Sequence, residues 1–303
     1  MTPSVVVALV AVQVLFASLA IVGRFVLAEF PAGALIMLRV IGAGLLLALI
    51  NAVRRGEWVR DRRDLLELAG LGFLGITLNQ SLFVYGLSHT TAINATILVT
   101  MVPVFTVVGA VLLGREQASP AKLAGVALAF AGTIYLIGPD RLSLTPDVAL
   151  GNALIAVGMA CYAAYFLLAR RMLARHEPLT VTTYVMLLSI LTVAPVGLPV
   201  LMRLDVSAVR PAIWAGVAWI VVGPTLLAYL LNVWALRRVS SNTVAIYIYL
   251  QPIMTAAVAP LVLKGEALTA RTVLAGIAIF IGVLVVLRAE RLVGLAAPVV
   301  IDS

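Results

Sequence analysis

Ten apolar runs, each near the length of a bilayer-crossing helix, constrain this chain more than any motif in it. They recur at Ser4–Val22, Ala32–Val53, Leu65–Leu87, Thr90–Leu113, Ala121–Ile137, Val148–Leu168, Thr180–Leu201, Ala212–Leu236, Asn242–Leu263 and Thr272–Leu287. About 20 apolar residues cross ~30 Å of hydrocarbon, and a helix satisfies its own backbone hydrogen bonds there. The breaks carry turn chemistry, as in Arg54-Arg55-Gly56, Gly138-Pro139-Asp140, Arg175-His176-Glu177-Pro178 and Arg210-Pro211. The weakest break is Ser88–Thr90, where His89 and flanking hydroxyls alone separate two runs. The expected fold is therefore all-α integral membrane, with ten transmembrane helices. Composition agrees, because 63% hydrophobic and 11% charged residues leave too little polar surface for a water-soluble body, which carries roughly 25% charged residues.

The net charge of +8 does not point to nucleic acid, since the basic residues are scattered between apolar runs and form no single face. In a membrane protein such an excess marks cytoplasmic loops. With the N-terminus inside, 14 Arg and Lys fall on the inner side and 6 on the outer, with Arg39 inside a run. Both termini are therefore expected in the cytoplasm, as in a multi-pass inner-membrane protein. No Arg or Lys precedes the first run, so Ser4–Val22 reads as a retained helix and not a cleaved leader. The single Cys161 excludes an internal disulfide and reads as a packing residue.

The halves resemble each other. Leu87, Pro103, Thr106 and Ala110 match Leu236, Pro252, Thr255 and Ala259 at an offset of 149. After one inserted residue, Leu113, Glu116, Ser119, Phe130 and Gly132 match Leu263, Glu266, Thr269, Phe280 and Gly282. A weaker match joins Arg24 to Arg170. A unit of five helices must place its second copy upside down, which predicts inverted repeats at 1–140 and 141–303. Secondary transporters use that construction, with the solute site near the midplane.

The stretch Ile97-Leu-Val-Thr-Met-Val-Pro103, the turn Gly114-Arg-Glu-Gln-Ala-Ser119, and Gly125 with Gly132 resemble the drug/metabolite transporter superfamily in its EamA-type ten-helix branch. Their second-half counterparts are Tyr247-Ile-Tyr-Leu-Gln-Pro252, Lys264-Gly-Glu266, Gly276 and Gly282, and Arg39 resembles that family's usual arginine. The resemblance covers nearly the whole chain. It implies metabolite export by alternating access, with amino acids, aromatic ones favoured, as solutes. Phe16 departs from the pattern, standing where a tryptophan is frequent, and Gln13 holds the depth at which small four-helix multidrug relatives carry a glutamate.

Chemistry inside the runs is uncharged. All 13 carboxylates map to loops, helix ends or the tail, which disfavours carboxylate-driven coupling and suits a facilitative carrier of neutral or zwitterionic solutes. The expected solute-binding residues are Gln13, Asn79, Gln80, Asn94, Leu98, Met101, Tyr162, Tyr229, Tyr247 and Gln251. Buried amides must face other helices or a wet cavity, and Asn94, Leu98 and Met101 share one helix face. For each amide singly, the plainer role is interhelical bonding. Pro103 and Pro252 sit within apolar runs and are expected to kink their helices and act as hinges. Glu116 and Glu266, three residues before Ser119 and Thr269, read as exposed turn residues beside N-caps. Gly70-Leu-Gly-Phe-Leu-Gly75 matches the dinucleotide GxGxxG pattern, yet no strand precedes it, so close helix packing is expected instead.

Arg39 reads as a structural residue before a solute contact, His89 as a polar helix end, and His176 as loop. No nucleophile triad, metal-ligand cluster or carboxylate pair shares one membrane depth, so no cofactor or catalytic metal is expected and an enzyme or lipid-handling protein is the weaker class. A proton-coupled drug or metabolite exporter is the nearer alternative. The expected partners are a small-molecule substrate and the lipid bilayer, with no nucleic acid and no obligate protein partner.

Overall fold

The computed structural model describes residues 2–114, 119–137, 146–236, 238, 247–248 and 250–296. They form helices α1 (Pro3–Leu27), α2 (Ala32–Val53), α3 (Arg62–His89), α4 (Ala92–Leu112), α5 (Pro120–Ile137), α6 (Pro146–Arg175) and α7 (Pro178–Met202). Helix α8 joins Pro211–Ile220, Val221–Leu227 and Ala228–Leu236, and α9 (Leu250–Val262) and α10 (Ala270–Ala296) follow. Seven of these, α1 to α4 and α6 to α8, are long and apolar enough to cross a membrane, while α5, α9 and α10 hold shorter apolar stretches.

The starts follow local chemistry. Pro3, Pro120, Pro146, Pro178 and Pro211 open α1, α5, α6, α7 and α8, where a missing N–H costs nothing. Ser119 and Thr269 accept from the Lys122 and Thr272 amides at 3.2 and 3.1 Å, as their cap positions predict. The bundle exterior is apolar: Leu112, Leu191 and Leu261 are 81%, 72% and 82% exposed. Such residues suit lipid contact.

Between helices, lipid removes most of the hydrophobic drive, so close packing of small residues matters more. Helix α5 lies along α10, α2 along α7, α3 against α6, and α1 against α8 and α9. A Cβ on Gly282 would stand 2.6 Å from the Ala129 nitrogen and the Gly125 carbonyl oxygen, so glycine permits the α5–α10 contact. The GxGxxG stretch lies inside α3. Gly72 and Gly75 meet α7 and α6 closely, with a Cβ there 2.7 Å from the Val185 oxygen and 2.5 Å from the Tyr165 ring, but Gly70 faces open space.

The weak break between the third and fourth runs is a tight turn, and distant side chains complete it. Arg24 donates to the carbonyls of Leu87 and Ser88 at 3.2 and 3.0 Å. Glu266 accepts from the backbone amides of Ala92 and Ile93 at 2.6 and 3.4 Å. The expectation of an exposed turn acid at Glu266 is therefore corrected: it is 7% exposed and caps α4, a helix distant in sequence. Its matching residue Glu116 lies outside the described residues.

The prolines behave differently from a mid-helix kink. α4 breaks at Thr100–Met101, and Pro103 stands in the first turn of its second segment. Pro252 lies in the first turn of α9. Both α3 and α8 contain a wide π turn, at Phe73–Leu78 and Val221–Leu227. Pro224 inside the second removes a backbone donor. The Thr225 hydroxyl donates to the Ile220 carbonyl at 2.7 Å across it.

Candidate functional site

A cavity of about 120 Å³ lies among seven helices. Its wall comes from α1 (Val12, Gln13, Phe16, Leu19), α2 (Arg39), α3 (Asn79, Gln80, Phe83), α4 (Val99, Val102), α6 (Met159, Tyr162, Phe166), α8 (Tyr229, Asn232) and α9 (Gln251), with Ile248 before α9. The π turns of α3 and α8 lead directly into Asn79-Gln80 and Ala228-Tyr229. Such turns rotate the following residues relative to an ideal helix, and they recur at functional sites.

Rings and aliphatic groups make most of the wall. Phe16 meets Tyr229 edge-on at 6.2 Å and Tyr162 meets Phe166 at 4.5 Å. Some polar groups are already satisfied. The Gln251 amide donates to the Gln13 amide oxygen at 2.6 Å, tying α9 to α1. Asn79 donates to the Gly158 carbonyl at 2.9 Å.

Others are not. Arg39 is 3% exposed. Its Nε donates to the Thr225 hydroxyl at 3.2 Å, while its Nη1 has no hydrogen-bond partner among the described residues. Among the same residues, neither amide atom of Gln80 nor Oδ1 of Asn232 meets a partner in hydrogen-bond geometry, although the Tyr229 hydroxyl lies close to Gln80. The Tyr229 hydroxyl stands beside Arg39, Gln80 and Tyr162.

Of the ten expected binding residues, the structure brings six to this wall: Gln13, Asn79, Gln80, Tyr162, Tyr229 and Gln251. The other four lie elsewhere. Asn94 donates to the Thr90 hydroxyl and accepts from Thr272 at 3.4 and 3.3 Å. Leu98 and Met101 are fully buried in the apolar core, and Tyr247 packs against a separate cluster of Val5, Leu9 and Ala235. On α4 the neighbouring face, Val99 and Val102, meets the cavity instead. Helical periodicity identifies the residues sharing a face, but the packing of α4 against α6 and α9 selects which face turns inward.

Sequence reasoning placed Arg39 and Phe16 outside the expected set. Phe16 carried a readable signal, since it stands 146 residues before Tyr162, the spacing that separates Arg24 from Arg170. Arg39 carried one too, as the charge inside an apolar run, but its lack of a full set of partners is visible only in three dimensions.

Away from the cavity, His176 is no plain loop residue. Its Nδ1 and Nε2 meet Glu57 and Asp64 at 2.8 Å each, and Arg175 reaches Asp64 at 2.8 Å and Glu67 at 3.2 Å. The hydrogen bond to Asp64, with help from Glu57, pushes the His176 imidazole above its ordinary value of 6.5. His89 is exposed at the end of α3. At another junction Arg210 pairs with Glu29.

Known proteins share this organisation. The EamA-like transporter family model matches twice, over residues 3–138 and 149–288. An uncharacterized transporter of Archaeoglobus fulgidus is 30% identical over 204 residues, covering 67% of this chain and 70% of the relative. A probable terminal-alkyne amino-acid exporter of Streptantibioticus cattleyicolor is 27% identical over 222 residues, covering 68% and 71%. One crystal structure superposes with a TM-score of 0.65 over 96% of this chain and 99% of its own, at 19% identity, a likeness of fold alone. With both matched stretches together spanning most of its length, the chain is a multi-pass membrane protein that belongs to the EamA-like transporter family.

Proposed function

We propose that this transporter is a facilitative carrier that exports small neutral or zwitterionic metabolites, amino acids foremost and aromatic ones favoured, by alternating access. The carrying observation is that the cavity wall is built in pairs at the repeat spacings. Gln80 and Tyr229, Phe83 and Asn232, Val99 and Ile248, and Val102 and Gln251 each stand 149 residues apart; Gln13 and Met159, and Phe16 and Tyr162, stand 146 apart. The two π turns and the two first-turn prolines stand in the same relation.

Two halves of about five helices, 1–140 and 141–303, related by inversion, account for these pairs. They also account for the packing: α3 against α6 mirrors α8 against α1, while α2–α7 and α5–α10 are self-paired. A site on such an axis opens to either side as the halves rock, with the segments at Pro103 and Pro252 as hinges. The amino-acid reading draws support from the aromatic and amide wall and from the exporter of Streptantibioticus cattleyicolor. The arginine bias supports an orientation with both termini on the cytoplasmic side, in an inner membrane.

The test is counterflow in proteoliposomes of the full chain with labelled amino acids, related metabolites and cationic drugs, at equal pH on both sides. Saturable amino-acid exchange without a proton gradient is expected. Chemical conversion, non-saturating flux, or an absolute need for a proton gradient would each overturn the reading.

A further inference from the structure

Arg39 raises a question that the fold does not answer. A guanidinium loses strong hydration on burial, and proteins normally repay this with an acidic partner or a full set of acceptors. Here Arg39 bonds to a neutral hydroxyl, that of Thr225, and its Nη1 has no partner among the described residues. Among the described residues no carboxylate lines the same cavity, and the polar groups that meet Arg39, Thr225 and Tyr229, are neutral, as is Gln80 on the same wall. Of the eight buried side-chain atoms without a hydrogen-bond partner among the described residues, four (Arg39 Nη1, Gln80 Nε2 and Oε1, and Asn232 Oδ1) belong to residues of this one wall.

We propose that Arg39 anchors a single carboxylate of the transported solute, with Gln80 Nε2 as a second donor. This rests on the carrier reading of the cavity and names the solute class more narrowly: a monocarboxylate with an apolar body. Guanidinium matches carboxylate geometry and makes charge-assisted bonds that an ammonium or amide does not reproduce. One cation balances one negative charge, which favours a carboxylate over a doubly charged phosphate. The oxygens Gln80 Oε1 and Asn232 Oδ1 remain as acceptors for a neighbouring ammonium, which fits an α-amino acid. Phe16, Phe83 and Phe166 then meet its side chain.

The experiment compares acids with their amides, which differ at the anchored group. The probes are phenylalanine with phenylalaninamide, leucine with leucinamide, and 3-phenylpropionate with 3-phenylpropanamide. Each is measured for saturable uptake into proteoliposomes and for thermal stabilisation of the purified full chain. The acid of a recognised pair is expected to bind roughly tenfold to a hundredfold better than its amide, the range for a hydrogen bond to a charged group. Arg39→Gln should raise the constant for the acid by at least about tenfold and that for the amide by clearly less, so that the acid preference collapses, with Arg39→Lys between the two. An amide accepted as well as its acid by the wild-type chain overturns the anchor, as does an acid preference that survives in Arg39→Gln. Saturable flux of other solutes, with none of the three acids bound, also overturns it while the carrier reading stands. If no solute is carried at all, the carrier reading falls. The stabilisation measurement then still decides the anchor, since stabilisation by acids over amides supports it and none refutes it.

Discussion

Glu266 offers a direct test of how the two halves are held together. Its carboxylate accepts from the Ala92 and Ile93 amides at 2.6 and 3.4 Å and is 7% exposed. These are two of the four amides that a helix start leaves without internal partners. Glu266→Ala removes both acceptors and the negative charge from the positive end of the α4 dipole. The shorter bond is the strong one; losing the acceptor of a buried donor costs about 1–3 kcal/mol, and the dipole adds about 0.3–1 kcal/mol. Water reaching the helix end recovers part of this, so a net loss of about 2 kcal/mol is expected for Ala. Glu266→Gln keeps one uncharged acceptor and should lose about half as much. At roughly 2–4 °C per kcal/mol for a chain of a few hundred residues, Glu266→Ala should lower the melting temperature by about 4–8 °C. Reaction of a fluorogenic maleimide with Cys161, the single cysteine, on heating in detergent reports the transition. If Glu266→Ala melted within a degree of the wild type, or Gln matched Ala, the capping argument would be refuted.

The cluster around His176 should be pH dependent. Because its bonds to Asp64 and Glu57 raise the His176 value above 6.5, its contribution is fully present below pH 6.5 and is lost as pH rises through the raised value. The melting difference between wild type and His176→Asn should therefore be larger at about pH 6 than at about pH 9; a difference unchanged across that range would count against it. On the α5–α10 contact, Gly282→Val should cost about 1–3 kcal/mol or more by overpacking, since its Cβ would stand 2.6 Å from backbone atoms of α5. Gly70→Ala, with nothing within 4 Å, should melt like the wild type; equal effects of the two substitutions would contradict the packing. Single-cysteine labelling should find the Arg54–Arg63 loop protected in intact cells and reactive after permeabilisation, as the arginine bias implies.

Much of this protein is local in origin and hence legible in one dimension. Run length decides which segments can cross a bilayer, and Pro120, Ser119 and Thr269 open their helices through bonds to residues within one turn. The matching of the halves is equally a property of the string. So an all-helical chain with several membrane-crossing helices, the family and six of the wall residues could be read before any coordinates. Other features depend on which surfaces meet. Leu98 and Val99 are one position and about 100° apart on a helix, and only the packing of α4 sends the first into the core and the second to the cavity. Glu266 reads as a turn residue until α4 comes to rest above it, and His176 as a loop residue until Glu57 and Asp64 approach. Arg39 is the clearest case. Its charge is written in the sequence, but whether a buried charge has a counter-ion depends on every helix around it, and here Nη1 meets no partner among the described residues.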